Sequence, residues 1–312
     1  MTDIKKDESV ASLRKFVERI RSGEGYGKKS ELGWIDWELP IHWGGMSDPF
    51  QPLEEKFGYS YECLQYLAES QYPVIISTKG TRLLSSDKYL DVLSKCNAVV
   101  QVSMQCSEFD QFEPGAPTFE ERLEDLAKIS PKVKRTIIRL QPYIPRFKKS
   151  IIDNLPRFKE AGAYGVILEG LKMDDKSFDP QLVKVGSEFL YPYPRILEDF
   201  LKIKHTANEL GMKAFAGENR IREYGDSLTC CGVDDIFTVN RYNLNHLLHN
   251  DKAEPTKRMM EYGGDCFRAS GQSTAWGRIT SNNGFAPMMR YFYENKKNLV
   301  KSTFALGEEY RK

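Results

Sequence analysis

The first residues that could bind a ligand or take part in a reaction follow a short apolar run that begins at Ile41. The run breaks at Gly44-Gly45, and Ser47 and Asp48 come next, supplying a hydroxyl and a carboxylate. Glycines in such a turn allow close approach of the backbone to a ligand. Asp48 precedes a proline and is therefore also a typical turn former. The stretch predicts either a ligand-binding turn or a structural one.

Three later apolar runs also end in polar residues, namely Lys79, Ser103 and Glu169. Lys79 suits three roles: a cation for an anionic ligand, an amine that forms a Schiff base with a carbonyl substrate, or the partner of a neighbouring carboxylate. Glu169 is placed to contact a substrate or a ribose, without a motif to support it. Because the ends of parallel strands meet at one edge of a sheet, these residues are candidates for a single site.

The cysteines offer a second type of chemistry. Cys230 and Cys231 are adjacent, and with Cys266 they either ligate an auxiliary iron–sulfur cluster, supply a hydrogen atom, or act as small buried apolar residues. A vicinal pair with a distant third cysteine is a poor ligand spacing, so no metal ligand is assigned. The four histidines form no ligand pattern except His246-x-x-His249, which is typical of a solvated helix face.

The elements that carry these residues alternate along the chain. Short β-branched or apolar runs predict strands from Ile41 and at 73–80, 97–105, 134–145, 164–170, 213–219 and 234–240. Helical spacing predicts helices at 9–22, from about Ser60, at 83–95, 118–130, within 151–161, and at 193–210 and 286–300. The helix at 118–130 carries Thr118 and Glu121 as a capping box.

Alternating strands and helices predict an α/β fold, with a parallel sheet covered by helices and curled or closed into a TIM-type β/α barrel. Residues 1–240 form the predicted barrel, and 241–312 a C-terminal extension packed on it. The chain begins with an amphipathic helix, whereas most such barrels begin with a strand.

The composition excludes several classes of protein. Lys plus Arg number 45 and Asp plus Glu 44, so net charge favours no nucleic-acid partner, although a local basic groove stays open. No apolar run approaches the length that spans a membrane, and the polar N-terminus is not a signal peptide. Six scattered cysteines predict no disulfide framework. The cytoplasm is the expected location.

Four segments, taken in order, resemble a known family. They are GGMSDPFQPLE, STKG, QVSM followed by EPGAPTFEERL, and RLQPYIP, within about residues 35–170. Together they are similar to the spore photoproduct lyase branch of the radical S-adenosylmethionine (SAM) superfamily, the group often labelled DNA-repair photolyase-like. The resemblance implies a partial β/α barrel, a lyase-type enzyme, and SAM as the small-molecule cofactor.

The resemblance also implies roles for particular residues. Gly44, Gly45, Ser47 and Asp48 match the motif after the family's second strand, which faces the amino and carboxylate groups of SAM. Lys79 and Ser103 match the residues that close the third and fourth strands, near the carboxylate of the methionine moiety. A zwitterionic ligand needs an acceptor for its ammonium group, and a cation and a hydroxyl for its carboxylate.

One defining feature of the family is missing from this sequence. The superfamily binds a [4Fe–4S] cluster through three closely spaced cysteines after the first strand, but the first cysteine here is Cys63, beyond the second-strand motif. We therefore expect an incomplete barrel without its first strand. Three situations would explain the missing first strand: a truncated gene, a misplaced start at Met1, or an upstream partner polypeptide that supplies the cluster loop.

Three functions remain open at this stage. The first is a truncated or split radical SAM enzyme that retains the SAM half-site and is inactive as this chain alone. The second is a cluster-free barrel enzyme with Lys79 as its Schiff-base lysine. The third is a non-catalytic barrel that binds a ligand or nucleic acid. The sequence assigns no catalytic residue and no substrate.

Overall fold

The structure is a computed structural model, and it describes residues 6–22, 40–45, 47–185, 188–227 and 229–237. Several sequence predictions lie outside these residues: the extension at 241–312, its helix at 286–300, Cys266, His246 and His249.

The centre of the fold is a six-stranded sheet in which all neighbouring strands are parallel. The strands follow one another across the sheet in chain order, as they do in a β/α barrel. The two edge strands do not pair with each other within the described residues. In chain order the strands are β1 Ile41–Trp43, β2 Val74–Thr78, β3 Ala98–Ser103, β4 Arg135–Tyr143, β5 Gly165–Gly170 and β9 Lys213–Ala216.

The helices lie in the crossovers between the strands, apart from the first, which precedes the sheet. The described helices are α1 Lys6–Ser22, α2 Leu53–Phe57, α3 Tyr59–Ser70, α4 Thr81–Leu84, α5 Asp87–Leu93, α6 Phe119–Ile129, α7 Lys148–Glu160 and α8 Tyr193–Glu209. The predicted capping box is confirmed: Thr118 accepts a hydrogen bond from the Glu121 backbone, and the Glu121 side chain accepts one from Thr118. None of the described helices has the length and apolar character needed to cross a membrane.

The two faces of the sheet have different partners. Side chains alternate between the faces of a strand, so Val74 and Ile76 point to the side opposite Ile75. The outer face joins the helices in one large core that includes Val100, Leu168 and the α3 residue Leu64, all of them fully buried. Each such aliphatic side chain contributes about 1.5–3 kcal/mol when it leaves water.

The inner face of the sheet is divided into two layers. Its lower layer, toward the amino ends of the strands, is apolar, and residues 229–237 cover it with Val233 and Phe237. The sheet contributes Ile75, Val99, Ile137, Ile167 and Phe215 to this layer. On β2 to β5 the residues two positions further along, Ser77, Gln101, Arg139 and Glu169, are polar and lie toward the carboxyl ends. The sheet therefore positions a polar surface above an apolar floor.

Two predicted elements differ from the structure. The predicted helix at 83–95 is two helices, α4 and α5, because the chain turns at Ser85 and Ser86 between them. The predicted strand at 234–240 is not formed by residues 234–237, which make a turn in which Ile236 and Phe237 donate to the Val233 carbonyl. Residues 238–240 lie outside the described part.

A second sheet was not predicted from the sequence. Three short antiparallel strands, β6 Lys172–Met173, β7 Val183–Val185 and β8 Glu188–Leu190, lie between β5 and α8. Strands of two or three residues carry too little alternation for a sequence pattern to reveal them.

Candidate functional site

The turn after β1 is held against the turn after β2 by Asp48. One carboxylate oxygen of Asp48 accepts from the Phe50 backbone N–H at 2.9 Å and from the Thr78 hydroxyl at 2.7 Å. The other accepts from the backbone N–H groups of Lys79 at 2.6 Å and Gly80 at 3.1 Å. The Asp48 carboxylate thus accepts four hydrogen bonds. Because two of the donors are the backbone N–H groups of Lys79 and Gly80, Asp48 fixes the backbone position of Lys79.

The glycines around this contact allow the two turns to meet. Gly44 has φ +97°, and a Cβ there would lie 1.9 Å from the Ser77 carbonyl oxygen. A Cβ on Gly80 would lie 2.2 Å from the Phe50 carbonyl oxygen. Gly45 has open space around it, and Ser47 is exposed beside it. Gly44 is therefore required by the packing of β1 on β2, whereas Gly45 and Ser47 face solvent.

Glu54, the last residue of the GGMSDPFQPLE segment, is also bound within the protein. Its buried carboxylate accepts from the backbone N–H groups of Ser60 at 2.9 Å and Tyr61 at 2.8 Å, at the start of α3. The Tyr89 hydroxyl donates to it at 2.8 Å. Burial and this hydrogen bond raise the pKa of Tyr89. A negative charge at a helix N-terminus is stabilising, so Glu54 anchors α3.

Lys79 and Ser103 are connected through an ion-pair network. The Lys79 ammonium lies 2.6 Å from Glu113, and the other oxygen of Glu113 accepts from Arg122 at 2.6 Å. Arg122 is 1% exposed; it also donates to the Ser103 carbonyl at 2.7 Å and to Asp110 at 3.1 Å. The ends of β2 and β3 therefore lie at the same edge of the sheet, as we expected for one site.

A row of polar side chains crosses the inner face just below this edge. The His42 ring lies 2.7 Å from the Ser77 hydroxyl, which donates to the Gln101 side-chain oxygen at 3.0 Å. The Arg139 guanidinium donates to the same oxygen at 3.0 Å and to Glu169 at 3.3 Å. We call His42, Ser77, Gln101, Arg139 and Glu169 the polar row. It joins residues from β1 to β5.

The charge in the polar row is concentrated on Arg139 and Glu169. Desolvation of the His42 ring, followed by the positive charge of Arg139, lowers the pKa of His42, although the residue as a whole is exposed. The neutral imidazole is therefore favoured at neutral pH. A neutral ring beside a hydroxyl and a guanidinium can accept or donate a proton.

Residues 229–237, which cover the apolar layer, also place the thiols of Cys230 and Cys231 near the polar row. Gln101 donates to the Cys231 carbonyl at 3.0 Å, and Arg135 donates to the Gly232 carbonyl at 2.7 Å. The Cys230 and Cys231 sulfurs are 3.4 Å apart. Cys230 is exposed and Cys231 is half-buried.

The sequence identified only part of this site. Lys79, Ser103 and Glu169 were predicted at the strand ends, and the structure places them there. His42, Gln101 and Arg139 were not singled out, because their importance depends on strand register. One signal was available: Arg139 interrupts the apolar run of its strand and is the first residue of the RLQPYIP segment.

Comparison of the chain with models of known protein families finds no match, and comparison with curated proteins finds none either. The described residues contain no group of three or more His, Cys, Asp or Glu side chains that could hold a metal ion.

Proposed function

We propose that this chain is a radical SAM-type partial barrel of the photolyase-like branch, which retains the SAM-binding half-site and carries no cluster ligands among its described residues. One observation supports this more than any other. The ends of β1, β2 and β3 meet at one edge, where Asp48 locks the first two turns and Arg122 links the third. This is the arrangement that the resemblance requires of its matched residues.

In this proposal Lys79 attracts the carboxylate of the methionine moiety. Its side chain is 38% exposed, and its ammonium is already paired with Glu113, whose charge is shared with Arg122. Since Arg122 is almost fully buried, it holds Glu113 in place and leaves Lys79 the more mobile partner. Lys79 can therefore turn toward a second carboxylate without leaving Glu113 uncompensated.

Ser103 and the Gly44-Gly45 turn complete the proposed half-site. Ser103 is half-buried at the end of β3 and supplies a hydroxyl. The open space at Gly45 leaves room for a ligand next to the backbone. Asp48, by contrast, already accepts four hydrogen bonds, so an ammonium bound to it would have to share the carboxylate with those donors.

These contacts predict weak binding. A hydrogen bond contributes about 1 kcal/mol net, and one to a charged group about twice that. Loss of translational freedom opposes them with several kcal/mol. We therefore expect a dissociation constant for SAM of roughly 1 mM, equivalent to about −4 kcal/mol.

Isothermal titration of the purified chain with SAM tests the proposal. Lys79→Met should weaken binding by about tenfold, because a charged contact is lost. Lys95→Met is the matched control: Lys95 is equally paired, with Asp91 at 2.7 Å, but lies in the turn between α5 and β3, at the amino ends of the strands and away from the proposed half-site. Binding that is unchanged in Lys79→Met, or absent from the parent chain at several millimolar SAM, would refute the half-site.

The geometry does not favour the Schiff-base alternative. A Schiff-base lysine must direct its amine at the carbonyl carbon of the substrate, whereas the Lys79 nitrogen is held in an ion pair 2.6 Å from Glu113. Borohydride in the presence of small aldehydes should therefore leave Lys79 unmodified in a peptide map. Stoichiometric alkylation of Lys79 by borohydride reduction of a Schiff base would favour the Schiff-base enzyme over the radical SAM-type half-site. No specific contact within the described part of the chain favours the non-catalytic binding barrel.

A further inference from the structure

Cys230 and Cys231 form a thiol pair held in a defined place by the protein. Their turn is fixed from both sides: Gln101 binds the Cys231 carbonyl, and Arg135 binds the Gly232 carbonyl. Arg135 also donates to Asp235 from both of its terminal guanidinium nitrogens, Nη1 at 2.6 Å and Nη2 at 2.7 Å. These contacts keep the two sulfurs 3.4 Å apart and leave Cys230 exposed.

The surroundings of the pair distinguish its two sulfurs. The hydrogen bond from Cys231, together with the positive charge of Arg222, holds the pKa of Cys230 well below its usual range, against the effect of desolvation. The same hydrogen bond and desolvation raise the pKa of Cys231. Arg139 lies close enough to favour negative charge on both. These effects favour the thiolate form of Cys230 and the protonated form of Cys231.

From this geometry we infer that Cys230 and Cys231 form a thiol–disulfide exchange site, in which Cys230 attacks low-molecular-weight disulfides and Cys231 resolves the product. The inference does not depend on the proposed SAM half-site, since it uses neither Lys79 nor Ser103. A low-pKa cysteine on an exposed residue beside a second thiol is the arrangement that such exchange requires.

The reaction has two balanced steps. The Cys230 thiolate attacks one sulfur of the small disulfide, forms a mixed disulfide, and expels one thiolate. Cys231 then loses its proton to solvent and attacks the Cys230 sulfur, forming the Cys230–Cys231 disulfide and expelling the second thiolate. The protein loses two electrons, and the small disulfide gains them.

The product should be a labile disulfide. Consecutive Cα atoms are about 3.8 Å apart, whereas disulfides usually join Cα atoms about 4.4–6.8 Å apart. Departures from that range store strain and make the bond easier to reduce. The pair therefore suits reversible exchange and not permanent cross-linking.

The test uses the full chain with Cys266→Ser, so that this cysteine does not contribute. The probe is dithiobis-nitrobenzoate, an aromatic disulfide whose released thiolate is coloured. We expect two thiolates per chain, no retained adduct by mass spectrometry, and recovery of both thiols with dithiothreitol. In Cys231→Ser we expect one thiolate and a stable adduct on Cys230. In Cys230→Ser the rate should fall by about tenfold or more.

Cys63→Ser is the matched control. Burial raises the pKa of the Cys63 thiol to about 11, so its removal should change neither the rate nor the number of thiolates released. Two thiolates released from Cys231→Ser, or an unchanged rate in Cys230→Ser, would overturn the inference. An unreactive parent chain would overturn it as well.

Discussion

Asp48→Asn should destabilise the fold well beyond the loss expected for an ordinary surface aspartate. The carboxylate accepts from two donors on each oxygen, three of them backbone N–H groups. An asparagine keeps one acceptor oxygen, so its amide nitrogen must face two N–H or O–H donors on the other side. Either orientation of the amide loses two hydrogen bonds and weakens the remaining two.

The magnitude follows from those bonds. A hydrogen bond to a charged group contributes about 1.5–3 kcal/mol, and a neutral one about 1 kcal/mol. Two lost bonds at the lower value and two weakened by about 0.5 kcal/mol give roughly 4 kcal/mol. Because Asp48 is only half-buried, water replaces part of this, and we expect about 2–4 kcal/mol.

Urea unfolding followed by circular dichroism measures this change. The free energy difference is obtained from the shift of the midpoint and the slope m. The control is Asp91→Asn, which removes an exposed ion pair with Lys95 and should change stability by no more than about 0.5 kcal/mol. If Asp48→Asn lies within the same small range, the turn is not held by this carboxylate, and the account of how Lys79 is positioned is wrong.

Three further predictions concern stability. Thr118→Ala removes the capping box and should cost about 1 kcal/mol in urea unfolding. Asp199→Ala leaves the Lys148 ammonium, now 2.7 Å from the buried carboxylate, without its partner and should cost about 3–5 kcal/mol by the same assay. Desolvation raises the pKa of Asp226, but its hydrogen bonds and the charge of Lys204 lower the pKa by more, so the net shift is downward. The carboxylate therefore stabilises the fold at pH values above its unfolded pKa, and this stabilisation is lost as the pH falls through the lowered folded pKa. Acid unfolding of Asp226→Asn should therefore lack that part of the pH dependence.

Most of the sheet and its helices could be predicted because their signals are local. Each of the six parallel strands lies within or beside a β-branched or apolar run, and the ends of α6 and α8 agree with the residues that cap or terminate them. The Thr118 capping box depends on residues three positions apart, so the sequence contains all of it.

The site was only partly predictable because its contacts join distant residues. The polar row depends on the register that aligns Ser77 with Gln101, and Gln101 with Ile137. The sequence also does not show that Asp48 binds the backbone of Lys79, 31 positions away. Parallel pairing and strand-end turns set these contacts, and neither has a signature within one segment.

Residues 229–237 show why the inner face was the hardest part to predict. The pattern of 234–240 suggested a further strand, since Ile236 and Phe237 are typical strand residues. In the structure Arg135 binds both the Gly232 carbonyl and Asp235, and this contact stabilises a turn instead. The turn places Phe237 on the apolar layer and Cys230 beside the polar row.

The Lys79–Glu113 ion pair links the proposed position of the ligand to its expected affinity. Glu113 orients Lys79 toward the edge shared with Ser103, and it also neutralises the charge that a carboxylate ligand needs. Glu113→Gln should therefore strengthen SAM binding if Lys79 contacts the ligand carboxylate. The same substitution removes the charge that pairs with Arg122, so it should also lower the stability of this edge of the sheet. Tighter binding combined with lower stability in that variant would separate the two effects of the ion pair. Weaker binding would mean that orientation of Lys79 matters more than its free charge.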